Sequence, residues 1–262
     1  MPPMQWAGGF VIALALLAVP APRADRPVPR TDANSMLAHR QLLDKARAGG
    51  IDVYFVGDSI ARRWGAIDYP EMLDNWTRNF FGWNAADFGW GADKTENILW
   101  RLENGELDGV NPKVIVILAG TNNVSAEGVD VSVKDVSRGI EEIVKTCRRK
   151  APRATIVLTA IFPRNDKPAF MPLIDGINAR IARLADGKRV RFLDVNGRLA
   201  DHGVLFDGMM NARDKLHPTV HGYQVWADGL KPILTELLGP PAATDHAPPP
   251  TGDPSAAPRR TP

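Results

Sequence analysis

The sequence predicts an α/β fold: a parallel sheet of five strands covered by helices on both faces. Two observations carry this. Short apolar runs rich in β-branched residues recur along the chain, with 114–118 (VIVIL) the clearest, and such runs mark strands buried on both faces. Between them lie longer amphipathic segments, and strands alternating with helices imply a parallel sheet.

The elements follow in order. Residues 1–24 read as an export signal. An almost unbroken apolar run spans 10–19, short of a membrane span, and Val19-Pro20-Ala21 offers small residues for cleavage. No Lys or Arg precedes the run, so the terminal amine alone supplies charge there. The expectation is a periplasmic or secreted protein with no membrane span after cleavage. Residues 25–49 hold a Pro- and Arg-rich linker, up to Asp32, and then a helix over 35–48. That helix has apolar Met36, Leu42, Leu43 and Ala46 and stops at Gly49-Gly50.

Strands are predicted at 51–56, 85–88, 114–118, 155–160 and 190–194. Helices are predicted at 94–103, with Asp93 as N-cap, and at 131–150, 175–185 and 221–238. One domain therefore covers 50–239. The Pro- and Ala-rich tail, 240–262, has few apolar side chains to bury and is expected to be disordered.

Composition removes several function classes. The 262 residues are 44% hydrophobic and 24% charged, ordinary for a globular protein with a full core. A formal net charge of +2, with no basic block interleaved with aromatics, argues against a nucleic-acid surface. Arg148-Arg149-Lys150 ends a predicted helix, where cations suit the helix dipole. Cys147 is the one cysteine, so there is no intrachain disulfide, zinc knuckle or CxxC motif. It is expected to pack as a small hydrophobe. No cofactor and no metal are expected.

In open α/β sheets, ligands bind beyond the carboxyl ends of the strands. Four polar or glycine-rich blocks fall there: Gly57-Asp58-Ser59, the segment around Gly89, Gly120-Thr121-Asn122-Asn123, and Asp214-Lys215-Leu216-His217. Each block alone could be a turn or a helix cap. Together they hold the parts of an acyl-transfer site. Ser59 is the candidate nucleophile, and a serine hydroxyl needs a base to take its proton. His217 can act as that base, and Asp214 can fix its tautomer. The Ser59 and Gly89 backbone N–H groups and the Asn122 amide can donate to the oxyanion that forms.

This set of blocks resembles the SGNH, or GDSL, hydrolases. The stretch from Trp90 to Asn123 is most similar to the catalytic subunits of platelet-activating factor acetylhydrolase and their bacterial relatives. The resemblance covers most of 50–238. It implies a flavodoxin-like three-layer α/β/α sandwich and hydrolysis through an acyl-serine intermediate. It also implies a Ser59–His217–Asp214 triad, with Ser59, Gly89 and Asn122 forming the oxyanion hole. Many family members have Asp where this chain has Asn123, although the acetylhydrolase branch shares Asn. The acetylhydrolase relatives pair as dimers, so the resemblance makes a homodimer an expectation.

Other readings were weighed against these. The chain has no Gly-x-Ser-x-Gly elbow, so a standard α/β-hydrolase is disfavoured. Asp214, His217 and His221 could be read as metal ligands, but Pro218 interrupts any helix through both histidines. His221 is instead expected at a helix N-terminus. Trp64, Trp76, Trp83, Trp90 and Trp100 could stack on sugar rings, but core packing is the ordinary role of such residues. Trp90, beside Gly89, is the one expected to face substrate. The function expected is removal of short acyl groups, acetyl above all, from an acyl ester, plausibly on a carbohydrate. The alternatives are a phospholipid or lysophospholipid acyl hydrolase and a non-catalytic glycan-binding module on the same fold.

Overall fold

The computed structural model describes residues 23–124 and 129–256. The export segment expected at 1–24 lies outside them apart from its last two residues. Among the described residues, no helix is long and apolar enough to cross a membrane.

The elements run α1 (Ala33–Ala48), β1 (Val53–Gly57), α2 (Ser59–Gly65), α3 (Pro70–Phe80), β2 (Ala85–Asp87), α4 (Thr95–Arg101), β3 (Val114–Leu118) and α5 (Val129–Lys150). Then come β4 (Thr155–Thr159), α6 (Met171–Ile181), β5 (Val190–Leu193), a small hairpin of β6 (Ala200–Asp201) and β7 (Val204–Leu205), and α7 (Val220–Leu238). The five main strands are all parallel, in the order β2-β1-β3-β4-β5. That is the flavodoxin-like order, in which the chain reverses direction between β1 and β3.

Side-chain alternation along each strand builds two cores. Tyr54, Val56, Ile115, Ile117, Ile156 and Leu158 face one layer, packed with residues of α1, α4, α5 and α6. Val53, Phe55, Val114, Val116, Leu118 and Val157 face the other, packed with α2, α3 and α7. The second core is aromatic at its centre: Trp64 stacks on Tyr223 and Trp226 at 4.9 and 4.8 Å and meets Phe80 edge-on at 5.0 Å. Truncating such a ring to alanine typically costs about 3–5 kcal/mol.

The helices α2 and α3 were not anticipated. The first is short and begins on the functional Ser59, and the second opens on Pro70 at its first turn, a favoured place for proline. The helix expected at 94–103 starts later, with Lys94 as its N-cap residue. Asp93 caps nothing; its side chain is buried against Arg101.

The segment read as a linker and the described part of the tail expected to be disordered are both packed. Before α1, Thr95 Oγ1 donates to the buried Ala24 carbonyl at 2.9 Å, and Val28 and Glu96 share a main-chain bond. After α7 the tail does not trail away: up to Ala256 it runs back along the β2 edge of the sheet. Ala242 N–H donates to the Gly82 carbonyl, and the Asp245 carboxylate accepts from the Gly82 and Asn84 amides at 2.7 and 3.1 Å. Pro248, Pro249 and Pro250 then line a groove with Trp76, Phe80 and Phe81. Further on, Lys45 Nζ donates to Thr251 Oγ1 at 3.1 Å, Ile67 N–H to the Thr251 carbonyl, and Asn34 to Asp253 at 2.9 Å. Apart from the proline run, these anchors are main-chain and side-chain polar groups. The segment therefore carries no hydrophobic periodicity that could announce it.

Candidate active site

The β1–β3 crevice is where the site forms, and glycine lets the two strands close there. A Cβ on Gly57 would lie 2.3 Å from the Leu118 carbonyl oxygen. Beyond Gly57, Asp58 is the N-cap of α2, its carboxylate accepting from the Ile60 amide at 2.9 Å. Ser59 is therefore the first residue of a helix, where its amide has no intrahelical acceptor.

The hairpin and its neighbouring turns carry the acid and base back to that helix. Asp214 Oδ1 accepts from the Leu216 and His217 amides at 3.1 and 3.0 Å, which folds the segment into a tight turn. Asp214 Oδ2 meets His217 Nδ1 at 2.9 Å, and His217 Nε2 meets Ser59 Oγ at 2.8 Å. With Nδ1–H donating to the carboxylate, Nε2 is left to accept from the serine hydroxyl. The three residues expected to form the triad are thus in contact, in that order.

Electrostatics favour this protonation state. Burial, with Arg63 and Arg164 adding to it, lowers the His217 pKa below its ordinary value against the opposing pull of Asp214. Burial alone would raise Asp214. The His217 and Leu216 amides and the imidazole outweigh it, and the carboxyl is held below its usual range. A neutral imidazole beside an ionised carboxylate is the resting state a serine nucleophile requires.

The oxyanion donors are arranged less simply. Asn122 lies in the turn after β3, and its Nδ2 donates to the Asp93 carbonyl at 2.9 Å. An amide has two hydrogens, so one is committed and the other can meet a substrate oxygen. Gly89 differs from expectation: its N–H donates to Asp87 Oδ1 at 2.8 Å. Its donor role would require that bond to yield. Gly89 also packs where no side chain fits, because a Cβ there would lie 2.6 Å from the Arg62 amide nitrogen.

Asn123, the position where the chain departs from many relatives, ties the third block to the second. Its Oδ1 accepts from Thr95 N–H at 2.8 Å and its Nδ2 donates to Glu96 at 2.7 Å. Trp90 does not face substrate. It is buried, with its indole N–H on Ser35 Oγ at 2.9 Å and the Arg62 guanidinium 4.8 Å from its ring centre. Trp64, Trp76 and Trp83 are likewise buried in the fold. His221 is exposed in the first turn of α7.

Three residues near the site escaped sequence reasoning. Arg63 Nη1 lies 3.2 Å from Asp214 Oδ2. The buried Arg164 donates from Nη1 to the Thr121 carbonyl and hydroxyl at 3.1 and 3.0 Å, bracing the turn that carries Asn122. Asp93 pairs with Arg101 and, at 3.6 Å, with Arg30. Arg63's spacing of four from Ser59 points to a shared face only once α2 is known to be a helix, so the sequence alone gave no signal.

The fold and the relay define a serine acylhydrolase. The chain belongs to the GDSL-like lipase/acylhydrolase family, whose profile matches residues 55–225. It is 34% identical over 195 residues to the rat (Rattus norvegicus) platelet-activating factor acetylhydrolase IB subunit alpha2, covering 71% of this chain and 77% of that one. It is 31% identical over 244 residues to the bovine (Bos taurus) subunit alpha1, covering 88% and 97%. In structure it is similar to a GDSL-like lipase from Bacteroides thetaiotaomicron, with TM-score 0.59, 19% identity and coverage of 77% and 98%. It is also similar to a carbohydrate esterase family 3 structure from Talaromyces cellulolyticus, with TM-score 0.52, 15% identity and coverage of 71% and 97%. At these identities the two structures speak for the fold.

Proposed function

We propose that this acylhydrolase removes short acyl groups, acetyl first among them, from an ester by way of an acyl-serine intermediate. The observation that carries the proposal is the unbroken relay from Ser59 Oγ through His217 to Asp214, at 2.8 and 2.9 Å. Ser59 Oγ attacks the ester carbonyl carbon while its proton passes to His217 Nε2. The carbonyl oxygen becomes an oxyanion facing the Ser59 N–H and the Asn122 amide. On collapse the ester C–O bond breaks, and the imidazolium gives its proton to the leaving alkoxide. A water then loses a proton to His217, attacks the acyl-serine and releases the acid, returning the proton to Ser59.

Two acceptors for the acyl group are supported by different observations. The acetylhydrolase subunits are named for platelet-activating factor, which favours an acetylated phospholipid. The apolar run at 10–19 supports export, and an exported esterase would have access to acetylated glycans. With Trp90 buried, the sugar reading loses its proposed stacking platform. Acetate release from a panel of acetylated glycans and acetylated phospholipids separates the two readings. Faster hydrolysis of p-nitrophenyl octanoate than of the acetate would overturn the short-chain proposal. Absence of fluorophosphonate labelling at Ser59 in folded protein would overturn catalysis and favour a binding module.

A further inference from the structure

We infer that Arg63 is a positioning residue, which docks the acid–base loop onto the nucleophile's own helix and sets the pH at which His217 becomes a base. Ser59 and Arg63 are four residues apart on α2, so they share one face of the helix. Both reach the same loop. Ser59 Oγ contacts His217 Nε2 at 2.8 Å, and Arg63 Nη1 contacts Asp214 Oδ2 at 3.2 Å.

The oxygen involved is the informative part. Asp214 Oδ2 is the atom that receives His217 Nδ1 at 2.9 Å, while Oδ1 is occupied by the loop amides. Arg63 therefore holds the carboxylate in the rotation that the imidazole needs. Asp214 is partly exposed, its side chain at 35%, so without the guanidinium water would share that oxygen. The loop's other ties come from elsewhere: Asn165 N–H to the Lys215 carbonyl, and Asn211 N–H to the His217 carbonyl. Arg63 adds the link to the serine's helix, so nucleophile and base move as one body.

The charge has a second effect. The groups facing His217 are Asp214 from its own loop, Ser59 and Arg63 from α2, and Arg164 from the loop after β4. Asp214 favours the imidazolium, whereas the two arginines oppose it. Removing Arg63 leaves Asp214 less opposed, so the imidazole gains proton affinity and the acid limb of activity moves to higher pH. The inference rests on the serine acylhydrolase reading, and its test separates the two.

The test is the imidazole titration of His217 by NMR in the full chain, assigned with His217→Gln, for wild type and for Arg63→Met and Arg63→Lys. Expected is a rise of about half a pH unit in Arg63→Met, with Arg63→Lys close to wild type. In parallel, kcat/KM for p-nitrophenyl acetate should fall about tenfold in Arg63→Met, mainly in kcat, with the acid limb displaced by the same amount. Superimposable titrations in wild type and Arg63→Met, with both folded by thermal melt, would overturn the inference. The NMR readout needs no turnover. A wild type that never labels with fluorophosphonate defeats the enzyme reading while the Arg63 coupling is still decided.

Discussion

Asn122 donates its side-chain amide to the Asp93 main-chain carbonyl at 2.9 Å, and the Asp93 side chain is itself buried against Arg101. The amide proposed as an oxyanion donor is thus aimed by the loop after β2, which is held in place by an ion pair in the core. Arg101 also reaches Glu106 at 3.3 Å, and Glu106 meets His39 of α1 at 2.7 Å. A chain of buried polar groups runs from the first helix to the catalytic edge.

Replacing Asn122 with alanine should therefore lower kcat by about 10²–10³ with little change in KM, since the donor acts on charge that exists only in the transition state. Steady-state kinetics on p-nitrophenyl acetate check this. A change confined to KM would place Asn122 in ground-state binding.

Replacing Arg101 with methionine should destabilise the fold by up to about 3 kcal/mol, because it leaves the buried Asp93 carboxylate with only the more distant Arg30. Urea unfolding measures it. A loss below about 1 kcal/mol would mean that Asp93 finds another partner.

Asp58 gives a stability prediction with a defined sign. Burial pushes its pKa up to about 7, and its Oδ2 has no hydrogen-bond partner among the described residues. The folded protein therefore holds a proton there that the unfolded chain loses near pH 4. The stability this carboxyl contributes is present below that pH and is lost as pH rises through about 7. Asp58→Asn can still cap α2 and cannot ionise, so its melting temperature should gain on wild type as pH climbs from 4 to 8. Parallel melting curves across that range would contradict the assignment.

Ending the chain after Gly239 should lower the melting temperature. The truncation uncovers the β2 edge and removes the bonds to Gly82, Asn84, Lys45 and Asn34. A loss of about 2 kcal/mol from these contacts corresponds to roughly 4–8 °C for a domain of this size. An unchanged melt would make the tail a passenger.

Much of this architecture was legible in the residues. The run 114–118 is β3 to the residue, because a strand buried on both faces has nowhere to hide its composition. Ser59, Asp214 and His217 were legible as a set whose chemistry fits, and the structure brings them into contact although Asp214 and His217 follow the hairpin rather than a main strand. Arg164 and Asp93 were not, since their partners are Thr121 and Arg101 and only folding brings those together. Gly89 was read as a free donor because Asp87, two residues earlier, gives no sign of turning its carboxylate onto that amide. The packing of the tail was not legible, because its anchors are polar groups and a proline run, neither of which carries a hydrophobic period.

The route of that tail also decides which way the molecule faces when it is held. Helix α7 ends at Gly239, whose carbonyl accepts from Trp83 near the entry to β2, away from the catalytic edge. The described chain instead continues to Ala256, and on the way Asp253 comes within 4.0 Å of Arg62, three residues along α2 from Ser59. A label placed at Asp253 would therefore sit on the side of the fold that carries Arg62 of α2. One placed at Gly239 would sit by Trp83, near the entry to β2 and on the opposite side of the sheet from its carboxyl edge.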